Sequence, residues 1–284
     1  MVDLLGDYTI RMVTIGSAIV GGLCGALGSF AYVRRQSLVG DVVGHAALPG
    51  VALAYLISQS KDLAVLMLGA GLTGLLALAV SILAVRYCKM DQGTAFASVL
   101  STSFGVGVLL LSLIQQTHAA DQAGLDRFLF GQAATLVEPQ IITMAGVGTG
   151  ALALMLIFFR PLVTLSFDPS YSRSTGLPVV GLESILLVAL VSSVVVGISV
   201  AGVVLVAALL AAPAAAAHRW CTRFSTLVAV SAAFGALSGA TGGFLSSTWA
   251  NVPTGPLIIL ILTGLVIVSL LWGRRRTEPR EVPS

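Results

Sequence analysis

Ser37-Leu-Val-Gly40-Asp41-Val-Val-Gly44-His45-Ala-Ala-Leu-Pro49-Gly50-Val-Ala-Leu-Ala-Tyr55-Leu-Ile-Ser58 is the segment that sets the reading of the chain. A hydrocarbon layer about 30 Å thick takes roughly 20 helical residues to cross, and this run is long enough. Its polar content is concentrated in Asp41 and His45. A backbone in lipid must satisfy its own hydrogen bonds, so a segment of this kind is expected to be a helix.

Comparable runs extend in both directions. The expected spans are 12–33, 37–58, 63–85, 94–114, 139–159, 181–199, 201–217, 225–247 and 254–272. The sixth and seventh are separated only by residues 200–202, and the seventh is short. They read either as two spans or as one broken or re-entrant unit, which leaves eight. The fold class is an all-α integral membrane protein, a polytopic bundle of about nine, or eight, transmembrane helices in a single domain over 1–284.

Composition agrees. The chain has 284 residues, 57% hydrophobic and 10% charged, with mean hydropathy +1.00. Soluble globular chains are about 45–50% apolar and about 25% charged. With 15 basic and 12 acidic residues, the chain cannot coat a water-soluble particle of this size. An ordinary cytosolic enzyme, a disordered protein and a nucleic-acid binder are excluded. Cys24, Cys88 and Cys221 have no CxxC spacing, so neither a disulfide framework nor a zinc knuckle is indicated. The first segment carries Asp3 and Asp7 and no basic residue before Arg11. It lacks the basic region of a cleaved signal, so the first span is expected to be retained.

Charge placement gives an orientation. With the N-terminus outside and nine crossings, the inner segments hold Arg34, Arg35, Arg86, Lys89, Arg160, Arg173, Arg219, Arg223, Arg274, Arg275, Arg276 and Arg280. The outer segments hold only Arg11, Lys61 and Arg127. An excess of inner basic residues is what the positive-inside rule expects. The tail 273–284 is then a short cytoplasmic end.

Asp41 and His45 are the informative exceptions to an apolar interior. Four residues apart, they project from one helix face. With the helix starting near Ser37, His45 lies about 12 Å into the core. An ionisable group at that depth costs about 2.5–3.5 kcal/mol on insertion scales and marks a functional site by default. Carboxylate oxygen with imidazole nitrogen suits zinc, manganese or iron. Two ligands do not close a site, and a second copy related by a twofold axis supplies four. The other reading is a hydrogen-bonded pair that glues helices together. Gly40 and Gly44 leave room on the adjacent turn for another helix or a hydrated ion. Pro49 cannot donate to the carbonyl of His45, which is thereby released from the helix ladder. Pro213 raises the same expectation of a helix distortion in the seventh span. His118 and His218 read as interfacial residues.

The inner segment Phe167-Asp168-Pro169-Ser-Tyr171-Ser-Arg173-Ser-Thr-Gly176-Leu177-Pro178 has its own helix grammar. Asp168 is an N-cap, Pro169 suits the first turn, Gly176 suits the position after the C-cap, and Pro178 stops continuation. A helix of about two turns there reads either as a surface element or as a contact for a soluble partner. The only lysines, Lys61 and Lys89, do not follow a glycine, so no P-loop is present. Energy comes from a separate ATPase or from a gradient.

These residues resemble the zinc/manganese/iron permease family of ABC importers. Residues 37–52 resemble its second-helix signature, and Phe167-Asp168-Pro with Ser174-Thr-Gly176-Leu its coupling segment. Gly202 through Pro213 to Ala217 resembles its late proline-containing span. Pro253-Thr-Gly-Pro256 resembles the start of its last helix, and Gly124-Leu-Asp126-Arg-Phe-Leu-Phe-Gly131 its outer stretch. The resemblance implies a membrane permease subunit in the bacterial cytoplasmic membrane, with no covalent chemistry and no permanently bound cofactor. It implies a cytosolic ABC ATPase, a second permease copy or paralogue, and an extracytoplasmic metal-binding protein as partners. Asp41 and His45 match the family's intramembrane metal ligands. Residues 167–177 match its coupling helix, with Phe167, Asp168, Tyr171, Arg173 and Gly176 as ATPase contacts. Asn251 stands where many relatives carry an acidic residue. Leu-Pro-Gly after His45 looks more like manganese-type than zinc-type members. The competing class is a gradient-driven secondary transporter with Asp41 and His45 as a proton or metal relay.

Overall fold

The computed structural model describes residues 8–36, 38–60, 62–117, 131, 137–249 and 252–273. Lys61, His118, Arg127, Asn251, the stretch 124–130 and the tail from 274 onward lie outside the described residues.

The described elements run α1 (Tyr8–Val33), α2 (Val39–Ser58), α3 (Leu63–Cys88), α4 (Gln92–Thr117) and α5 (Glu138–Ile157). Then come α6 (Phe159–Phe167), α7 (Pro169–Ser174), α8 (Val179–Ala201), α9 (Val206–His218), α10 (Phe224–Thr248) and α11 (Thr254–Trp272). Eight of these are long and apolar enough to cross a membrane. The exceptions are α6, α7 and the 13-residue α9.

The expected span 201–217 is therefore not one helix. Gly202 breaks it with φ 85° and ψ 164°, a region essentially restricted to glycine. After three turn residues, 203–205, α9 begins. The segment nevertheless traverses the bundle. Ala201 abuts Gly255 near the start of α11, and Arg219 abuts Gly273 just past its end. Residues 201–219 thus run the whole length of α11 as a turn followed by a short helix. Ser269 Oγ donates to the Ala216 carbonyl at 2.6 Å and accepts from Trp220 Nε1 at 2.8 Å, tying the two ends together. The segment therefore forms a crossing of its own, as the two-span reading has it, with the break at Gly202 at its start and only 13 helical residues in it.

The core is built on a small-residue seam between α1 and α10. A Cβ added at Gly21 would strike the Gly235 carbonyl, one at Gly25 the Ser231 carbonyl, and one at Gly239 the Ser17 carbonyl. Backbones approach this closely only when both partners are small, and van der Waals contact drives helix association where lipid removes the hydrophobic effect. Ser231 Oγ donates across the seam to the Gly25 carbonyl at 2.7 Å. Gly50 on α2 and Gly69 on α3 make a second contact of this kind.

Candidate functional site

Helix α2 holds the two expected ligands. His45 meets Phe104 edge to face, with ring centroids 5.3 Å apart and planes at 87°. Phe104 is at the middle of the 26-residue α4, so His45 sits near mid-height of the bundle. Asp41 is one turn closer to the end where α2 starts. Both keep intermediate exposure. The Nδ1 atom of His45 is buried and has no hydrogen-bond partner among the described residues.

The neighbours of α2 explain why this side stays open. Gly40 packs on Ala207 and Gly44 on Val203 and Val206. The space left by these glycines is thus filled by α9 and its preceding turn, the helix alternative of the two expected from sequence. On the other flank, a Cβ at Gly107 of α4 would lie 2.6 Å from Leu48 Cβ and 3.0 Å from Pro49 Cδ. Helix α3 covers the back through Gly69 against Gly50 and Gly74 against Val43. The Asp41/His45 side faces the gap between α4 and α9. The outer surface of α4 beside it is apolar and bare, with Phe104, Val108 and Leu109 at 46%, 43% and 59% exposure.

Pro49 lies inside α2 and Pro213 inside α9, and both helices continue through them. Pro49 has no N–H for the His45 carbonyl. Gly107 is a site neighbour that the sequence reading missed. Its signal is a glycine in mid-span, but nothing local says which helix it meets. No group of three or more His, Cys, Asp and Glu that would enclose a metal exists among the described residues.

The segment after α6 forms as its residues dictate. Asp168 caps α7 by accepting from the Tyr171 N–H at 2.8 Å. Gly176 takes φ 74°. Its N–H donates to the Arg173 carbonyl and that of Leu177 to the Ser172 carbonyl, the paired bonds of a Schellman ending. Phe167 and Tyr171 project outward at 60% and 57% exposure. Phe167, the last residue of α6, also leans edge-on against Phe224 at 5.5 Å, so the entry to α7 is held against the start of α10. Amphipathic α6, which buries Leu162 and Leu165, was not expected from the sequence.

Basic residues collect at this end. Arg34 pairs with Glu183 at 3.8 Å. Arg86 and Arg173 line one cavity with Glu183, and Arg35 and Arg223 line another with Phe167.

Comparison with known proteins gives consistent results. The sequence profile described as the ABC 3 transport family matches residues 6–273. The manganese transport system membrane protein MntC of Bacillus subtilis is 41% identical over 266 residues, covering 94% of this chain and 61% of that protein. The chain therefore falls well short of the length of that relative. The zinc transport system membrane protein TroC of Treponema pallidum is 38% identical over 276 residues, covering 97% of this chain and 93% of that protein. The solved structure of PsaBC from Streptococcus pneumoniae in complex with Fab superposes with a TM-score of 0.82 at 28% identity, covering 94% of this chain and 92% of that one.

Proposed function

The chain belongs to the ABC 3 transport family, and on that premise we propose that it is the permease subunit of an ATP-driven importer for a divalent transition metal ion. The observation that carries this reading is the placement of half-buried Asp41 and His45 at mid-height, on a side of α2 that the chain's own helices leave open. The metal is cargo. A second permease copy, seated against the bare face of α4, brings its own aspartate and histidine and completes a four-ligand set. Oxygen and imidazole donors accept manganese, iron or zinc. Manganese is favoured, because Leu48-Pro49-Gly50 follows His45 and because MntC is named for manganese.

The remaining roles follow from this arrangement. A soluble metal-binding protein delivers the ion on the outer side, where the N-terminus lies. The C-terminus and the basic end lie in the cytosol. There α7, with Phe167, Asp168, Tyr171, Arg173 and Gly176, seats in a cytosolic ATPase. A helix capped at both ends and entered through Phe167, which packs on α10, moves as a rigid body, so rotation of the ATPase transmits to the bundle rather than melting α7. The permease itself makes and breaks no covalent bond.

Energisation tests the reading. Metal uptake is measured in cells with the ATPase partner inactivated and the proton gradient intact, and in cells with the gradient collapsed and ATP maintained. Loss in the first and retention in the second is expected. Gradient-dependent uptake by the purified chain alone in vesicles would establish the secondary-transporter class instead.

A further inference from the structure

We propose that the cleft between the ends of α1 and α3 and the start of α8 binds the phosphate headgroup of an anionic phospholipid, with an acyl chain lying along its apolar wall. This goes beyond the transport reading; it shares Arg173 with the proposed ATPase contact, so the site is proposed for the permease chain by itself and tested at Arg86, which that contact does not use.

Two adjoining cavities form the cleft. The smaller, about 260 Å³, reaches Arg34, Arg86 and Glu183, and the larger, about 680 Å³, reaches Arg86, Arg173 and Glu183. They share Ile82, Arg86 and Glu183, so they are continuous. Three arginines and one carboxylate thus line the cleft. That carboxylate is engaged by Arg34 at 3.8 Å, in the only ion pair among the described residues. Arg86 and Arg173 have no acidic partner there. Pro178 and the first turn of α8, Val179–Gly181, line the larger cavity. Pro178 has no N–H and that of Val179 donates to the Leu177 carbonyl, so Val180 and Gly181 supply the first-turn N–H groups at the partly positive end of the helix. The balance of charge therefore favours an anion, and guanidinium groups match phosphate oxygens in geometry.

The apolar wall distinguishes a lipid from a free phosphate. From Arg86 the smaller cavity extends along α3 to Leu78 and along α8 to Leu190, about 12 Å of helix on the α3 side. Leu78 and Leu190 are buried, whereas Ile82, which lines both cavities, is 39% exposed. The cleft is thus open sideways, toward the hydrocarbon, and closed toward the core. A small anion gains nothing from such a wall. Basic pockets at a membrane face are suited to anionic headgroups.

The test uses the full-length chain, delipidated in neutral detergent and titrated by native mass spectrometry. The probes are dioleoyl-phosphatidylglycerol, dioleoyl-phosphatidylcholine and inorganic phosphate. Phosphatidylglycerol is expected to bind in preference to phosphatidylcholine and to resist displacement by millimolar phosphate. Arg86→Gln is expected to weaken it about fivefold, the worth of one basic residue at a charged membrane surface, and to leave phosphatidylcholine unchanged. Arg86→Lys keeps the charge and is expected to bind within about twofold of the parent; it provides the comparison if Arg86→Gln fails to fold. Equal binding of the two lipids, unchanged binding in Arg86→Gln, or displacement by phosphate would each overturn the proposal.

Discussion

The α1–α10 seam and the open side of α2 are both rich in small residues, and they use them differently. Along the seam, Gly21, Gly25 and Gly239 each lie against backbone of the other helix, and the Ser231 hydroxyl bonds across it. These small residues are packed against one another within the chain. On α2, Gly40, Gly44 and Gly50 do the same against α9 and α3. The remaining side, with Asp41 and His45, keeps its exposure. Small residues mark contacts the fold has already made. Ionisable groups left on an uncovered side are what the proposed function assigns to contacts outside the fold.

Substitutions in the two regions should separate these uses. The largest effect is expected from Asp41→Ala and His45→Ala. Each should lower metal uptake by more than about tenfold, the lower end of what losing even a supporting partner of a ligand costs, with the protein still present in the membrane at normal level. Normal uptake in both would return the pair to a structural role. Gly235→Leu should act through the fold instead. Its side chain meets the backbone of Gly21, which cannot yield as a side chain can. A loss of about 1–3 kcal/mol or more is expected, read as a lower melting midpoint in detergent. If Gly235→Leu melts normally, the seam is not the tight contact described.

Gly107→Ala lies between these cases. The added methyl meets Leu48 and Pro49 on the turn above His45. Overpacking of about 1 kcal/mol should lower uptake a few-fold while the melting midpoint moves by only a few degrees. Gly176→Ala forces alanine into the left-handed region at φ 74°, at a cost of about 1–2 kcal/mol. That cost is local to α7, so the bundle should melt normally while ATP-coupled uptake declines. Gly71→Ala meets nothing within 4 Å and should leave both readouts unchanged.

The sequence made the spans legible because the length and hydropathy of a run report depth in a membrane. It made Asp41 and His45 legible because ionisable groups are scarce within those spans. It also made the caps of α7 legible, since Asp168 and Gly176 act through bonds to their immediate neighbours. Hydropathy does not say which helix lies beside which. Gly107 carried no sign that it meets Pro49, and Ser231, Gly235 and Gly239 none that they face α1. The break at Gly202 was readable only as a choice between a short seventh span and a broken unit, because the conformation of Gly202 depends on how α8 and α9 pack on α2 and α11.

Metal-resolved uptake puts the role of Asp41 and His45 to the test. Manganese, zinc and iron accumulation is compared in cells lacking this gene and in the same cells carrying the parent chain or Asp41→Ala. The account predicts that the parent restores one metal, manganese first, and that Asp41→Ala does not, at equal protein level in the membrane. Equal accumulation of all three metals in every strain would contradict it.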